Sequence, residues 1–127
     1  MPYGLFVAVV TVLVVEDNEK NLKLVRDLLE HHGAAVVAAT TAAEALRVAP
    51  GCGAGVALVD IDLPDANGAE LLGPLRAALP GVAIAAVTAY AMKGDRERLL
   101  DAGFDAYVPK PIDVATFAAT VFALAER

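Results

Sequence analysis

Residues 56–68 read V-A-L-V-D-I-D-L-P-D-A-N-G. The apolar run from Val56 to Val59 closes on Asp60. A turn then carries Asp62, Pro64, Asp65 and Asn67, and Gly68 opens the next segment. A Val- and Leu-rich run without alternation reads as a strand buried on both faces. Its last residue puts a carboxylate at the strand's carboxyl end, the rim where open α/β sheets bind ligands.

The same unit recurs on either side. Thr11–Asp17, T-V-L-V-V-E-D, is a second apolar run ending in acids, Glu16 and Asp17. The segment Asn18–His32 follows, with Leu22, Val25 and Leu29 at helical spacing; Asp17 or Asn18 can cap it and Gly33 closes it. Its His31 and His32 are adjacent, so they point about 100° apart on a helix. They read as a solvated helix end rather than a metal site. Ala34–Ala39 is the next strand, and Thr41-Ala-Ala-Glu44 has capping-box spacing before a short helix that ends at Pro50. After Val56–Asp60, a helix is predicted from Gly68 to Leu79, with Pro74 inside it as a kink or a boundary. A fourth strand, Val82–Val87, leads into Thr88. Lys93–Ala102 is predicted helical, with Asp95, Arg96 and Arg98 on a charged side and Gly103 as its stop. The short strand Ala106–Val108 runs into Pro109-Lys110-Pro111, which suits an edge. Asp113 is predicted to cap a last helix whose inner face is Val114, Phe117, Ala118, Val121 and Ala125. Alternating strands and helices of this kind predict a parallel sheet covered on both faces.

Composition narrows the function. The 127 residues are 57% apolar and 6% aromatic, with a net charge of −6 and a pI near 4.7. That balance argues against direct nucleic-acid or anionic-membrane binding. The apolar run Leu5–Val15 is too short for a membrane span, which needs about 20 residues, and no Lys or Arg precedes Lys20 as a signal peptide would require. A single cysteine, Cys52, excludes an internal disulfide and fits a reducing cytoplasm.

Parallel strands share one carboxyl rim, so Glu16, Asp17, Asp60, Thr88 and Lys110 should converge there. Three crowded carboxylates repel one another, and a hard divalent cation such as Mg²⁺ (or Mn²⁺) removes that penalty. Asp60 would be a carboxylate nucleophile, with Lys110 and Thr88 holding the oxygens of an arriving phosphoryl group.

The motifs V-L-V-V-E-D-N (12–18), L-V-D-I-D-L-P-D-A-N-G (58–68), V-T-A (87–89) and Y-V-P-K-P-I (107–112) together resemble the response-regulator receiver domain, the CheY-like superfamily of two-component and phosphorelay signalling. Residues 88–98 are further similar to stand-alone regulators of the DivK type and to receivers of hybrid kinases. The resemblance implies a flavodoxin-like (βα)5 three-layer sandwich with strand order 2-1-3-4-5. It spans 11–127 as a receiver domain and leaves 1–10 as an N-terminal extension.

By position, the resemblance makes Asp60 the phospho-acceptor and Glu16, Asp17 and Asp60 the metal ligands, with the backbone carbonyl of Asp62 completing the set. Thr88 is the switch hydroxyl, Tyr107 the switch aromatic and Lys110 the phosphate-binding lysine. Pro64 and Gly68 shape the acceptor turn, and a cis peptide precedes Pro111. Leu63 stands where the family often has Met, and Asp62 and Tyr90 occupy positions that tune phosphate lifetime. The implied partners are a histidine kinase or histidine phosphotransfer protein as donor and a downstream protein docking on residues 93–127. The implied protein is a monomer or a weak phosphorylation-dependent dimer, catalysing its own Mg²⁺-dependent phosphorylation and dephosphorylation. Two other readings are weighed beside it. A non-phosphorylated interaction module would usually have lost an acid, the Thr or the Lys. A haloacid-dehalogenase-like phosphatase would use Asp62 as acid/base but needs a further acidic pair after the lysine.

Overall fold

A computed structural model describes residues 9–89 and 93–126. The start of the apolar N-terminal run (5–8), Tyr90 and Arg127 lie outside the described residues. Five parallel strands, β1 (Thr11–Val15), β2 (Ala35–Ala39), β3 (Val56–Asp60), β4 (Ala83–Thr88) and β5 (Ala106–Pro109), form one sheet in the order β2-β1-β3-β4-β5. The helices between and after them are α1 (Glu19–His31), α2 (Ala42–Val48), α3 (Gly68–Ala78), α4 (Asp95–Asp101) and α5 (Phe117–Ala125).

Strand alternation sorts the core into two layers. On one face Leu13, Val15, Ala57, Val59, Ile84 and Ala86 pack with Leu71, Leu72 and Leu75 of α3 and Ala42 and Ala45 of α2. On the other, Val12, Val14, Val56, Leu58, Ala85 and Val87 meet Val25 and Leu29 of α1 and Phe117 and Val121 of α5. Burying each Leu or Val of this kind contributes about 1.5–3 kcal/mol relative to leaving it exposed. The alanines let helices approach the sheet closely. The flavodoxin-like three-layer sandwich is therefore the fold. Among the described residues no helix is long and apolar enough to cross a membrane.

Local chemistry sets the ends of the elements. Asn18 caps α1 by accepting the Asn21 N–H at 3.0 Å, and Thr41 caps α2 by accepting that of Glu44 at 3.0 Å. Glu44 reaches back to the Thr40 N–H at 2.7 Å, one residue earlier than in a standard capping box. The α3 helix continues through Pro74. Both Pro74 and Glu70, whose carbonyl loses its helical partner, are exposed, so water can satisfy it. The β5 strand is an edge, as its proline requires.

Two expectations need correction. The last helix begins at Phe117. Asp113 does accept an N–H, from Ala115 at 3.0 Å, and its carbonyl accepts that of Phe117 at 2.9 Å. It therefore closes the turn that leads into α5 rather than the helix itself, and Val114 on that turn is 57% exposed rather than inward. In α4, which opens at Asp95 behind Gly94 (φ 92°), Asp95 does not belong to the solvated side. It is 6% exposed and paired with Arg98 one turn on, because the helix starts with that residue facing the rim.

Candidate functional site

The register of the sheet delivers the rim. Val15 stands opposite Ala39 on one side and Val59 on the other, Asp60 opposite Val87, and Thr88 opposite Pro109. The residues that end or follow β1, β3, β4 and β5 thus fall within about two positions of one another along the rim: Glu16 and Asp17, Asp60, Thr88 and Lys110.

Side chains from three of those strands meet. The Lys110 Nζ lies 2.9 Å from Glu16 Oε1 and 3.2 Å from Asp60 Oδ2. Glu16 and Asp60 are each 4% exposed, whereas Asp17 faces solvent. One carboxylate oxygen from each of Glu16, Asp17 and Asp60 falls within 4.8 Å of the others. An all-oxygen set of this kind suits a hard divalent cation and offers nothing to a thiophilic one. The residues present fit Mg²⁺ or Mn²⁺.

The backbone braces each acid. Glu16 donates its N–H to the Ala39 carbonyl at 2.9 Å, and its Oε2 accepts the Asn18 N–H at 3.1 Å. Asp60 Oδ1 accepts the Asp62 N–H at 2.9 Å, so the Asp60 side chain itself turns the chain out of β3. Ile61 N–H reaches the Val87 carbonyl at 3.1 Å, and Lys110 N–H reaches that of Thr88 at 2.9 Å. The peptide between Lys110 and Pro111 is cis, as the family resemblance implies.

Electrostatics follow from the crowding. Burial, then the adjacent Asp60 carboxyl, raise the Glu16 pKa above its ordinary value against the pull of Lys110. Burial alone would lower Lys110, but its hydrogen bond to Glu16 and the charges of Glu16 and Asp60 outweigh that and raise it. The lysine is a fixed cation.

Thr88 is 1% exposed and, with Ile61, Asp62, Asn67, Asp95 and Leu99, borders a cavity of about 480 Å³ beside the rim. Tyr107 is half-buried one strand away, opposite Ala86, and borders a second cavity of about 270 Å³ with Pro109, Pro111 and Phe117. Gly68 closes the turn after β3 from below: a Cβ there would meet the Asp60 carbonyl oxygen at 2.3 Å and the Ile61 Cα at 2.8 Å. Pro64 sits exposed in the same turn. Sequence reading missed two contributors. Buried Asp95 was hidden by its charged neighbours. Asp65 looked like a turn residue, yet it reaches α2, more than twenty positions earlier in the chain, and nothing local signals that.

The acids come from the end of β1, ahead of Asp60 in the chain, and α5 follows Lys110. A haloacid-dehalogenase-like arrangement needs the reverse.

Comparison with known proteins agrees with this geometry. Residues 12–122 match the family model described as the response regulator receiver domain. The polar-differentiation response regulator DivK of Brucella ovis is 42% identical over 113 residues, covering 87% of this chain and 92% of DivK. Among solved structures, a CheY-like receiver domain protein from Methanospirillum hungatei JF-1 superposes with a TM-score of 0.85 at 32% identity, covering 94% and 95% of the two chains. The receiver domain of a sensor histidine kinase from Pseudomonas aeruginosa PAO1 superposes with a TM-score of 0.83 at 31% identity, over 94% of this chain and all of that one; it was crystallised with a magnesium ion coordinated in its active-site cleft.

Proposed function

The chain belongs to the response regulator receiver domain family, and from that premise we propose that Asp60 is its phospho-acceptor. It is a phospho-accepting receiver of two-component signalling. The observation that carries the assignment to Asp60 is Lys110, whose ammonium group bridges the buried Glu16 and Asp60 carboxylates at 2.9 and 3.2 Å.

In the step proposed, an Asp60 oxygen forms a bond to phosphorus. The bond from phosphorus to the donor nitrogen of a phosphohistidine breaks, and the freed imidazole keeps the electron pair and takes up a proton. Lys110 is placed to hold a phosphoryl oxygen, and Thr88 supplies a hydroxyl for another. Glu16, Asp17 and Asp60, with the Asp62 backbone carbonyl, would hold Mg²⁺ or Mn²⁺, which when bound neutralises charge developing on the phosphoryl oxygens. Hydrolysis, in which a water oxygen bonds to phosphorus, the Asp60 carboxylate leaves with the electron pair and the water's proton passes to solvent, uses the same groups. Asp62 and Tyr90, two positions past Asp60 and Thr88 in the sequence, tune the lifetime of the phosphate.

The donor is a histidine kinase or a histidine phosphotransfer protein. Thr88 and Tyr107 form the bistable element that phosphorylation biases. The face built from residues 93–127 then exchanges protein partners, without direct contact to nucleic acid or membrane. The single free thiol suits the cytoplasm. Residues 1–10 are an extension to a receiver of 11–127, which acts as a monomer or a weak phosphorylation-dependent dimer. Incubation with acetyl phosphate and Mg²⁺ tests the reading: intact mass should show one added phosphoryl group in the wild type and none in Asp60→Asn. Equal uptake by both would refute it.

A further inference from the structure

The tip of the β3–α3 loop is tied to a different helix. Asp65 Oδ1 accepts the Ala42 N–H at 2.9 Å and Asp65 Oδ2 accepts the Ala43 N–H at 3.1 Å. These are the first two amides of α2, among the four that a helix leaves without partners of its own. Thr41 already serves the Glu44 amide, so the two caps divide the work. The paired N–H groups, Ala42 first, hold the Asp65 carboxyl below its ordinary value, and the ionised form is the one engaged.

The loop is otherwise closed on itself. Asp62 N–H binds Asp60 Oδ1, Asp62 and Asn67 form a bridge, and Gly68 N–H reaches the Ile61 carbonyl at 2.8 Å. Beyond the bonds of Asp62 to β3 and of Asn67 to α3, which flank the loop, the hydrogen bonds from Asp62–Asn67 that reach another element among the described residues are those of Asp65. A closed loop held at its base can still tilt. A two-point contact at its tip removes that freedom, because each carboxylate oxygen takes a different amide.

We propose that Asp65 is a positioning residue for the acceptor rim: by clamping the loop to α2 it holds the Asp62 backbone carbonyl in line with the Glu16, Asp17 and Asp60 carboxylates. The inference rests on the reading of that rim given above. Asp65 touches neither phosphate nor metal. It acts through Leu63 and Pro64, the two residues that separate it from Asp62, as groups that orient metal ligands generally do. The tie is also reciprocal. If α2 steadies the loop for a cation, a cation on the rim must steady the Asp65 contact by the same free energy.

The test uses the full chain with Mg²⁺ alone, measuring affinity by calorimetry and following the Ala42 and Ala43 amide resonances through the titration. Asp65→Ala is expected to weaken Mg²⁺ binding by about tenfold, the scale on which such orienting groups act. Asp65→Asn, which keeps one acceptor, should fall between it and the wild type. In the wild type both amides should shift as Mg²⁺ binds, and in Asp65→Ala they should not. Thr41→Ala is the control, since it loosens α2 without touching the loop. Its affinity should stay within about twofold of wild type. Unchanged affinity in Asp65→Ala, or an equal loss in Thr41→Ala, overturns the proposal while leaving the rim intact. If Asp65→Ala fails to fold, unchanged affinity in Asp65→Asn overturns it instead. Failure of the wild type to bind Mg²⁺ would instead remove the rim reading itself, and the proposal with it.

Discussion

Gly68 lies so close under Asp60 that a Cβ on it would come within 2.3 Å of the Asp60 carbonyl oxygen. The close approach, not backbone conformation, demands glycine here. The atoms in the way are backbone, so they cannot swing aside as a side chain would. Gly68→Ala is expected to push the Asp60–Asp62 turn outward and destabilise the fold by about 1–3 kcal/mol. Urea unfolding measures the first effect, and the rate of acetyl phosphate labelling, which should also fall, measures the second.

Among the described residues, Lys110 is the cation that bridges Glu16 and Asp60. Lys110→Ala should leave a folded protein that still gains thermal stability from Mg²⁺, because the carboxylates and their backbone braces remain. Labelling from acetyl phosphate should drop by about a hundredfold, the scale for losing one aimed donor to a reacting group. A single-turnover mass assay across Mg²⁺ concentrations separates the two.

The order of elements and the convergence on the rim were legible because both follow from short-range signals. Apolar runs set the strands, and the residue at each run's end is automatically at the rim. Glu16, Asp60, Thr88 and Lys110 could be found that way. Asp95, Asp65 and the start of α5 could not. The burial of Asp95 depends on the angle at which α4 meets the sheet, and its neighbours Arg96, Glu97 and Arg98 are all exposed. The Asp65 bonds join residues more than twenty positions apart. Asp113 carries a real capping signal, but that signal does not distinguish a turn leading into a helix from the helix's own first turn.

Asp65 also predicts a pH dependence. Its folded-state pKa is lowered from 3.8, so its stabilising contribution is present above that value and is lost as pH falls through the depressed one. Asp65→Asn should therefore melt below wild type at neutral pH, and the two melting curves should draw together below pH 3.8. Thermal melts monitored by circular dichroism across that range are the check. A gap that persists unchanged in acid would mean the charge is not what matters.

At the opposite end of the sheet, Arg76 donates to the Val82 carbonyl at 2.9 Å, the Gly103 carbonyl at 2.6 Å and Asp105 Oδ2 at 2.8 Å. Asp105 in turn accepts the Ile84 N–H at 2.7 Å. This clasp joins the C-terminal end of α3 to the turn before β5, remote from the rim. Arg76→Ala should cost about 1–3 kcal/mol in urea unfolding, the price of orphaned acceptors, with the rate of phosphate uptake unchanged under conditions where the variant stays folded.

The identity of the acceptor is the claim on which the rest depends. Phosphorylation with acetyl phosphate and Mg²⁺, followed by borohydride reduction of the acyl phosphate to the alcohol and peptide mass mapping, locates it directly. Reduction at Asp60, within the peptide that covers residues 56–68, is the predicted result. Reduction at Glu16, Asp17 or Asp62 instead, or none anywhere in protein that has bound Mg²⁺, would contradict it.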